Sequence, residues 1–309
     1  MRAGRLLRAW LAGGLMLALA VTPAIAQQAT TSLGAQGGSQ LEVTADSGIE
    51  WQKDRKVYIA RGNAQVRRGN FSVRAATLTA HYRDNVEGRS EIYRVEAVGG
   101  VVLRNGDDVA RGDRAVYDVD RKVLTMTGSD LSYVSGAARI TSRDSLEYWE
   151  VQATAVARGE AKAVRENDTV RADMLVGHFE NRPRADDPRR SRRELAQIDA
   201  IGNVEITNGD NVATAARATY DTATKQAQLT GGVQLTRGSD RLNGDRAEVN
   251  METGVYRMLP GAPGTPGGRV TGTITPDRSP PGNAAPQPAP QSAPLPAPIT
   301  AMRAGSAMP

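Results

Sequence analysis

Ile198 to Asp221, IDAIGNVEITNGDNVATAARATYD, is the stretch that decides the fold. Ile198, Ala200, Val204 and Ile206 alternate with Asp199, Asn203 and Glu205, the period of two expected of a half-buried strand. Asn208-Gly209 predicts a two-residue hairpin turn, because such turns need positive φ angles. A second alternating run predicts Val212, Thr214, Ala216, Ala218 and Tyr220 on one face. Gly202 interrupts the first strand midway, where glycine marks a bend or bulge.

The unit recurs. Moved back by 103 residues it falls on Val95 to Asp118, VEAVGGVVLRNGDDVARGDRAVYD, with Gly99 under Gly202 and Tyr117-Asp118 under Tyr220-Asp221. A second match, at a shift of 97, sets Arg61-Gly62 under Arg158-Gly159 and His81-Tyr82 under His178-Phe179. The six-residue difference is absorbed by an arginine-rich insertion, Asn181 to Arg193 (NRPRADDPRRSRR). The repeat predicts two tandem copies, about 54–150 and 151–253. Within each copy one strand type carries a central glycine and the next ends in an aromatic residue. No 3.6-residue apolar period follows residue 26. The expectation is an all-β fold of about fourteen strands. Strands bent at their glycines would build a folded, V-shaped antiparallel sheet, open along one side, with an unpaired strand at each end.

The chain ends read differently. Arg2, Arg5 and Arg8, an apolar run from Ala9 to Val21 and the Ala24-Ile25-Ala26 site predict a cleaved secretory signal over 1–26, and hence the periplasm. Residues 27–40 read as a flexible lead. From Pro260 onward lie 13 of the 16 prolines, and 277–309 reads as a Pro/Ala-rich disordered tail. The formal charge of +5 falls to +2 once the three signal arginines are removed. With six further arginines in one polar loop, the body predicts no nucleic-acid surface. There is no cysteine, so disulfides and thiolate metal sites are excluded.

Catalytic signals are poor. The only histidines, His81 and His178, occupy one repeat position, which favours a role in the fold. No catalytic triad or paired-carboxylate spacing stands out, and the repeated Gly-Asp pairs read as turn chemistry rather than calcium ligands. No catalytic residue, metal or cofactor is expected, and a glycan-active enzyme has no defensible site. The positive signal is the inward face. Val95, Ala97, Val101, Leu103, Leu124 and Met126 line one copy, and Ile198, Ala200, Val204, Ile206, Leu229, Val233 and Leu235 the other. These are small and medium aliphatics in a chain with 2 phenylalanines. Such a thin filling predicts an apolar groove. An exported β-repeat scaffold with a sealed core is the alternative.

Gly202-Asn203-Val204-x-Ile206, a turn, Ala215-x-x-Ala218-x-Tyr220-Asp221 and then Leu229-Thr230-Gly231 resemble the OstA-like domain of lipopolysaccharide transport proteins, the LptA/OstA family. Val43-Thr44-Ala45-Asp46 with Arg61-Gly62-Asn63-Ala64 looks like that domain's opening. Gly244-Asp245-Arg246-Ala247 and Gly268 to Gly272 look like its close. The resemblance covers 41–276. It implies an open β-jellyroll that binds the acyl chains of lipid A and assembles head to tail through edge strands. It also implies two partners, an inner-membrane anchored homologue and an outer-membrane assembly protein. The arginine-rich insertion and the proline-rich tail depart from the family pattern.

Overall fold

The computed structural model describes residues 41–275 except 87, 184–190, 251, 254 and 262–268. The expected signal 1–26, lead 27–40 and tail 277–309 lie outside the described residues, as does the middle of the arginine-rich insertion. The described chain contains no helix. It forms one antiparallel sheet of eighteen strands. Two short strands, β1 (Glu42–Thr44) and β2 (Ile49–Gln52), come first. Four long ones follow: β3 (Val57–Arg68), β4 (Phe71–Asp84), β5 (Ser90–Asn105) and β6 (Asp108–Asp118). Next are the short β7 (Val123–Thr127), β8 (Leu131–Ser135), β9 (Ala138–Ser142) and β10 (Ser145–Trp149). Six long strands then run from β11 (Thr154–Arg165) and β12 (Asp168–Pro183) through β13 (Ser191–Asn208), β14 (Asn211–Asp221) and β15 (Gln226–Arg237) to β16 (Asp240–Asn250). The short β17 (Val255–Leu259) and β18 (Thr271–Thr273) close the sheet.

Pairing sorts these strands into two walls that share the ten long strands. The first wall starts at β1, ends at β18 and includes β8 and β9. The second starts at β2, ends at β17 and includes β7 and β10. Each wall therefore has fourteen rungs. The expected fourteen strands match this rung count; the strand count is eighteen because four rungs are interrupted where the walls meet.

The fold line is built by the central glycines. Gly202 has φ +77° and Asn203 φ +47°, two left-handed residues in succession, and the β13–β14 register slips there, between Ile201 and Val204. The same pair of left-handed residues recurs at Gly62-Asn63, Gly99-Gly100, Gly159-Glu160 and Gly231-Gly232. Extra residues of this kind bend a strand sharply while pairing continues on both sides. At Gly202 the turn also brings a neighbour close: a β-carbon there would stand 2.9 Å from the Asp173 carboxyl carbon.

Two local expectations are corrected. The hairpin turn is Gly209-Asp210, one residue later than expected. Asn208 still pairs with Asn211, and of the two turn residues only Gly209 has positive φ, at +53°. This is the arrangement with glycine at the first central position. On β14 the alternation also changes phase. Val212, Thr214 and Ala216 do not share a face with Ala218 and Tyr220; the inward residues of the first half are Ala213 and Ala215. The register shift between Thr214 and Arg217 is the cause, since it moves the strand across the fold line one residue out of step.

Candidate functional site

The space between the walls is apolar from one end of the sheet to the other. On the second wall one inward row passes from Ile49 through Ala97, Met126, Ala157, Ala200 and Leu229 to Met258. All fourteen positions on it are Ile, Leu, Met or Ala. The facing row of the first wall passes from Val43 through Leu103, Ile140, Ile206 and Leu235 to Gly272, again with no charged or amide side chain. At the 4.8 Å spacing of neighbouring strands, fourteen rungs make an apolar strip about 60 Å long.

All thirteen residues expected to line the groove face this interior. Ala97, Val101, Leu103, Met126, Ala200, Val204, Ile206, Leu229, Val233 and Leu235 are buried, with Val101, Val204, Leu229 and Val233 each only 1% exposed. Val95, Leu124 and Ile198 are half-buried. The interior is therefore more closed than the thinly filled groove expected from composition. Alanine is the reason. Ala64, Ala161 and Ala247 are each 0% exposed, and so small a side chain lets the walls approach until their aliphatics interlock. Two apolar clusters result, one in each half of the chain, and Leu146 packs against both.

The three half-buried residues share an inward row on the second wall, towards its rim. In register with them stand Tyr58, Tyr117, Tyr148 and Tyr220. These aromatics turn their bodies inward and their polar tips to the rim. The Tyr117 hydroxyl donates to Glu150 at 2.9 Å, and Tyr148 accepts from Arg193 at 2.5 Å. Trp51 donates to the Tyr82 hydroxyl at 2.8 Å and stacks on Tyr58. Burial raises the phenol pKa of Tyr117, and Glu150 adds to the shift; burial likewise raises that of Tyr220. Both rings stay neutral and apolar at physiological pH. The sequence marked the aromatic at the end of alternate strands, yet only the register shows that several of them share a row with the groove residues. Leu78, Leu131 and Leu175 were also missed, because strand-by-strand alternation says nothing of which strands lie opposite.

Both histidines are accounted for by cross-strand pairs. His178 lies 3.0 Å from Asp199, and His81 lies 3.5 Å from Glu96, each a cross-strand pair on the outer face of the second wall. Among the described residues no group of three or more His, Asp or Glu side chains could hold a metal ion.

The LptA/(LptD N-terminal domain) LPS transport protein family matches the chain twice, over residues 42–143 and 139–255. The chain belongs to this family. Its members are transport proteins, not enzymes. A search of curated proteins returns no match. Among solved structures, the chain is similar to LptH of Pseudomonas aeruginosa, described as the LptA homologous periplasmic component of the conserved lipopolysaccharide transport device. Identity is 11% over 77% of this chain and 96% of that one, with a TM-score of 0.20. The apolar interior of the β-jellyroll is the candidate site.

Proposed function

We propose that this member of the LPS transport family holds the acyl chains of lipid A between its two walls in the periplasm. Copies or partners joined at its ends would carry the lipid from the inner to the outer membrane. The uninterrupted apolar strip along both walls supports this most strongly. A multi-acyl lipid exposes dozens of methylenes to water, each at about 0.8 kcal/mol, so crossing an aqueous compartment requires cover. The rim tyrosines suit a boundary at which acyl chains end and sugars begin. Because the walls interlock, loading would separate them, with Val95, Leu124 and Ile198 the first to meet lipid.

The sheet ends support assembly. Among the described residues β1 and β2 pair only with β3, and β17 and β18 only with β16. With fourteen rungs in each wall, the first and last strands of a wall run in opposite directions. A following copy in the same orientation would therefore continue the antiparallel alternation and lengthen the apolar strip. Ile49 and Trp51 at the leading end are 57% and 60% exposed, ready to be covered. The same edges would dock an inner-membrane anchored homologue and an outer-membrane assembly protein.

A photo-crosslinking residue at Ile198 or Val204 tests the proposal in cells. Capture of lipopolysaccharide there, and not at the outward Thr214 or Gln234, is expected. Equal capture at all four, or none, would leave the sealed scaffold as the better account.

A further inference from the structure

The two walls present different electrostatics to solvent. On the outer face of the second wall, charges are matched across strands. Arg61 lies 3.5 Å from Glu50, Arg114 2.7 Å from Glu96, Arg158 2.9 Å from Glu147 and Arg257 3.5 Å from Glu248. On the first wall the outward rows of the eight rungs from β3 to β12 hold Arg67, Arg74, Arg104, Arg111, Arg139 and Lys162, then Arg171 on β12. No Asp or Glu stands on those rows. The first carboxylates met on either side are Glu42 on β1 and Glu205 on β13, the latter 2.6 Å from Arg171. Three carboxylates of the fold line are already engaged. Asp113 accepts from the Ser129 amide at 2.8 Å, Asp144 pairs with Arg143 at 2.8 Å, and Asp173 accepts from Asn203 at 3.0 Å. Arg67, Arg104, Arg111, Arg139 and Lys162 have no carboxylate partner among the described residues.

From this juxtaposition we infer that the outer face of the first wall is a docking surface for an anionic phospholipid bilayer. Eight rungs span about 34 Å at the usual strand spacing, so the cations form a broad, shallow field and not a pocket. Between them sit the half-buried Val102, Val109, Val134 and Val164, and no aromatic residue. A specific protein partner needs central aromatic or pocket-filling anchors, which these rows lack. A bilayer surface presents dispersed phosphates that need none, and guanidinium groups bind phosphate bidentately. Residues 1–40 contain no Asp or Glu, and 276–309 contain one, Asp277. A second copy offers either the charge-matched face or the same basic one. The surface is independent of what the interior carries.

Flotation of the purified chain with vesicles tests this. Phosphatidylcholine vesicles containing about one-third phosphatidylglycerol should bind it more than ten-fold better than pure phosphatidylcholine at low salt. The preference should collapse in 0.5 M NaCl, where screening is short-ranged. Each cation near such a surface contributes about five-fold, so Arg104→Gln with Arg111→Gln and Arg139→Gln should lose about 100-fold. A control triple at the second wall's turns, Arg55→Gln, Arg121→Gln and Lys122→Gln, removes the same charge and should change binding only a few-fold. Unchanged melting curves establish that both triples fold. Equal binding to neutral and anionic vesicles overturns the inference, even if the face then holds an acidic protein. Equal losses in the two triples overturn it as well.

Discussion

Substituting alanine for Gly202 probes the fold line directly. Two costs act there. Forcing an alanine to φ +77° costs about 1 kcal/mol, the usual penalty of the left-handed region. The new methyl would also stand 2.9 Å from the Asp173 carboxyl carbon and 3.0 Å from its β-carbon. Overpacking of that kind costs about 2 kcal/mol more, and the displaced carboxylate loses its bonds from Asn203. Gly209 supplies the internal reference. It too has positive φ, at +53°, but a β-carbon there meets nothing within 4 Å. Gly202→Ala should therefore lower unfolding free energy by about 3 kcal/mol and Gly209→Ala by about 1 kcal/mol, measured by urea denaturation at constant slope. In an Asp173→Gly background the obstruction is gone. The cost of Gly202→Ala should fall to that of Gly209→Ala, a coupling of about 2 kcal/mol. Equal losses at the two glycines, or no coupling to Asp173, would refute the close approach as the reason for glycine here.

Two further outcomes can be measured. A proline at Val43 or Ile49 removes a main-chain donor from an edge strand and should weaken self-association or pull-down of partners; unchanged oligomer size by light scattering with unchanged pull-down would count against edge pairing. Stability should also respond to pH with opposite signs at two aspartates. The Asp221 carboxylate accepts from the Thr224 and Ala223 amides at 2.7 and 2.9 Å, which holds its pKa below the ordinary 3.8. Its contribution is present above pH 3.8 and is lost as pH falls through the depressed value. Asp221→Asn should thus lower the melting temperature at pH 7, by less at pH 3. Burial raises the pKa of Asp168, so its charge is a burden above that raised value. Asp168→Asn should raise the melting temperature at pH 7, with the gain vanishing below pH 3.8. Shifts of the same sign in both variants would contradict these environments.

Much of the architecture is legible in the chain because its determinants are local. Gly202 and its counterparts at repeat spacing mark the bends, since a two-residue left-handed corner tolerates few residue types. Alternation placed Ile198, Ala200, Val204 and Ile206 on the inward face correctly, as a period of two is a property of one strand. It failed on Val212, Thr214 and Ala216, where the strand crosses the fold line and a register shift inverts the pattern. Nothing within β14 announces that shift.

Only the tertiary structure decided what the inward faces meet. Composition suggested a sparse groove, but alanines on facing walls allow close approach, so the interior is packed. Distances between walls depend on residues far apart in sequence, and no local pattern encodes them. Register likewise turned strand-end tyrosines into a rim and scattered arginines into one basic face. The chain by itself determined where it bends, which residues point inward on β13 and the family to which it belongs. Long-range pairing determined how tightly the two walls close and which charges share a surface.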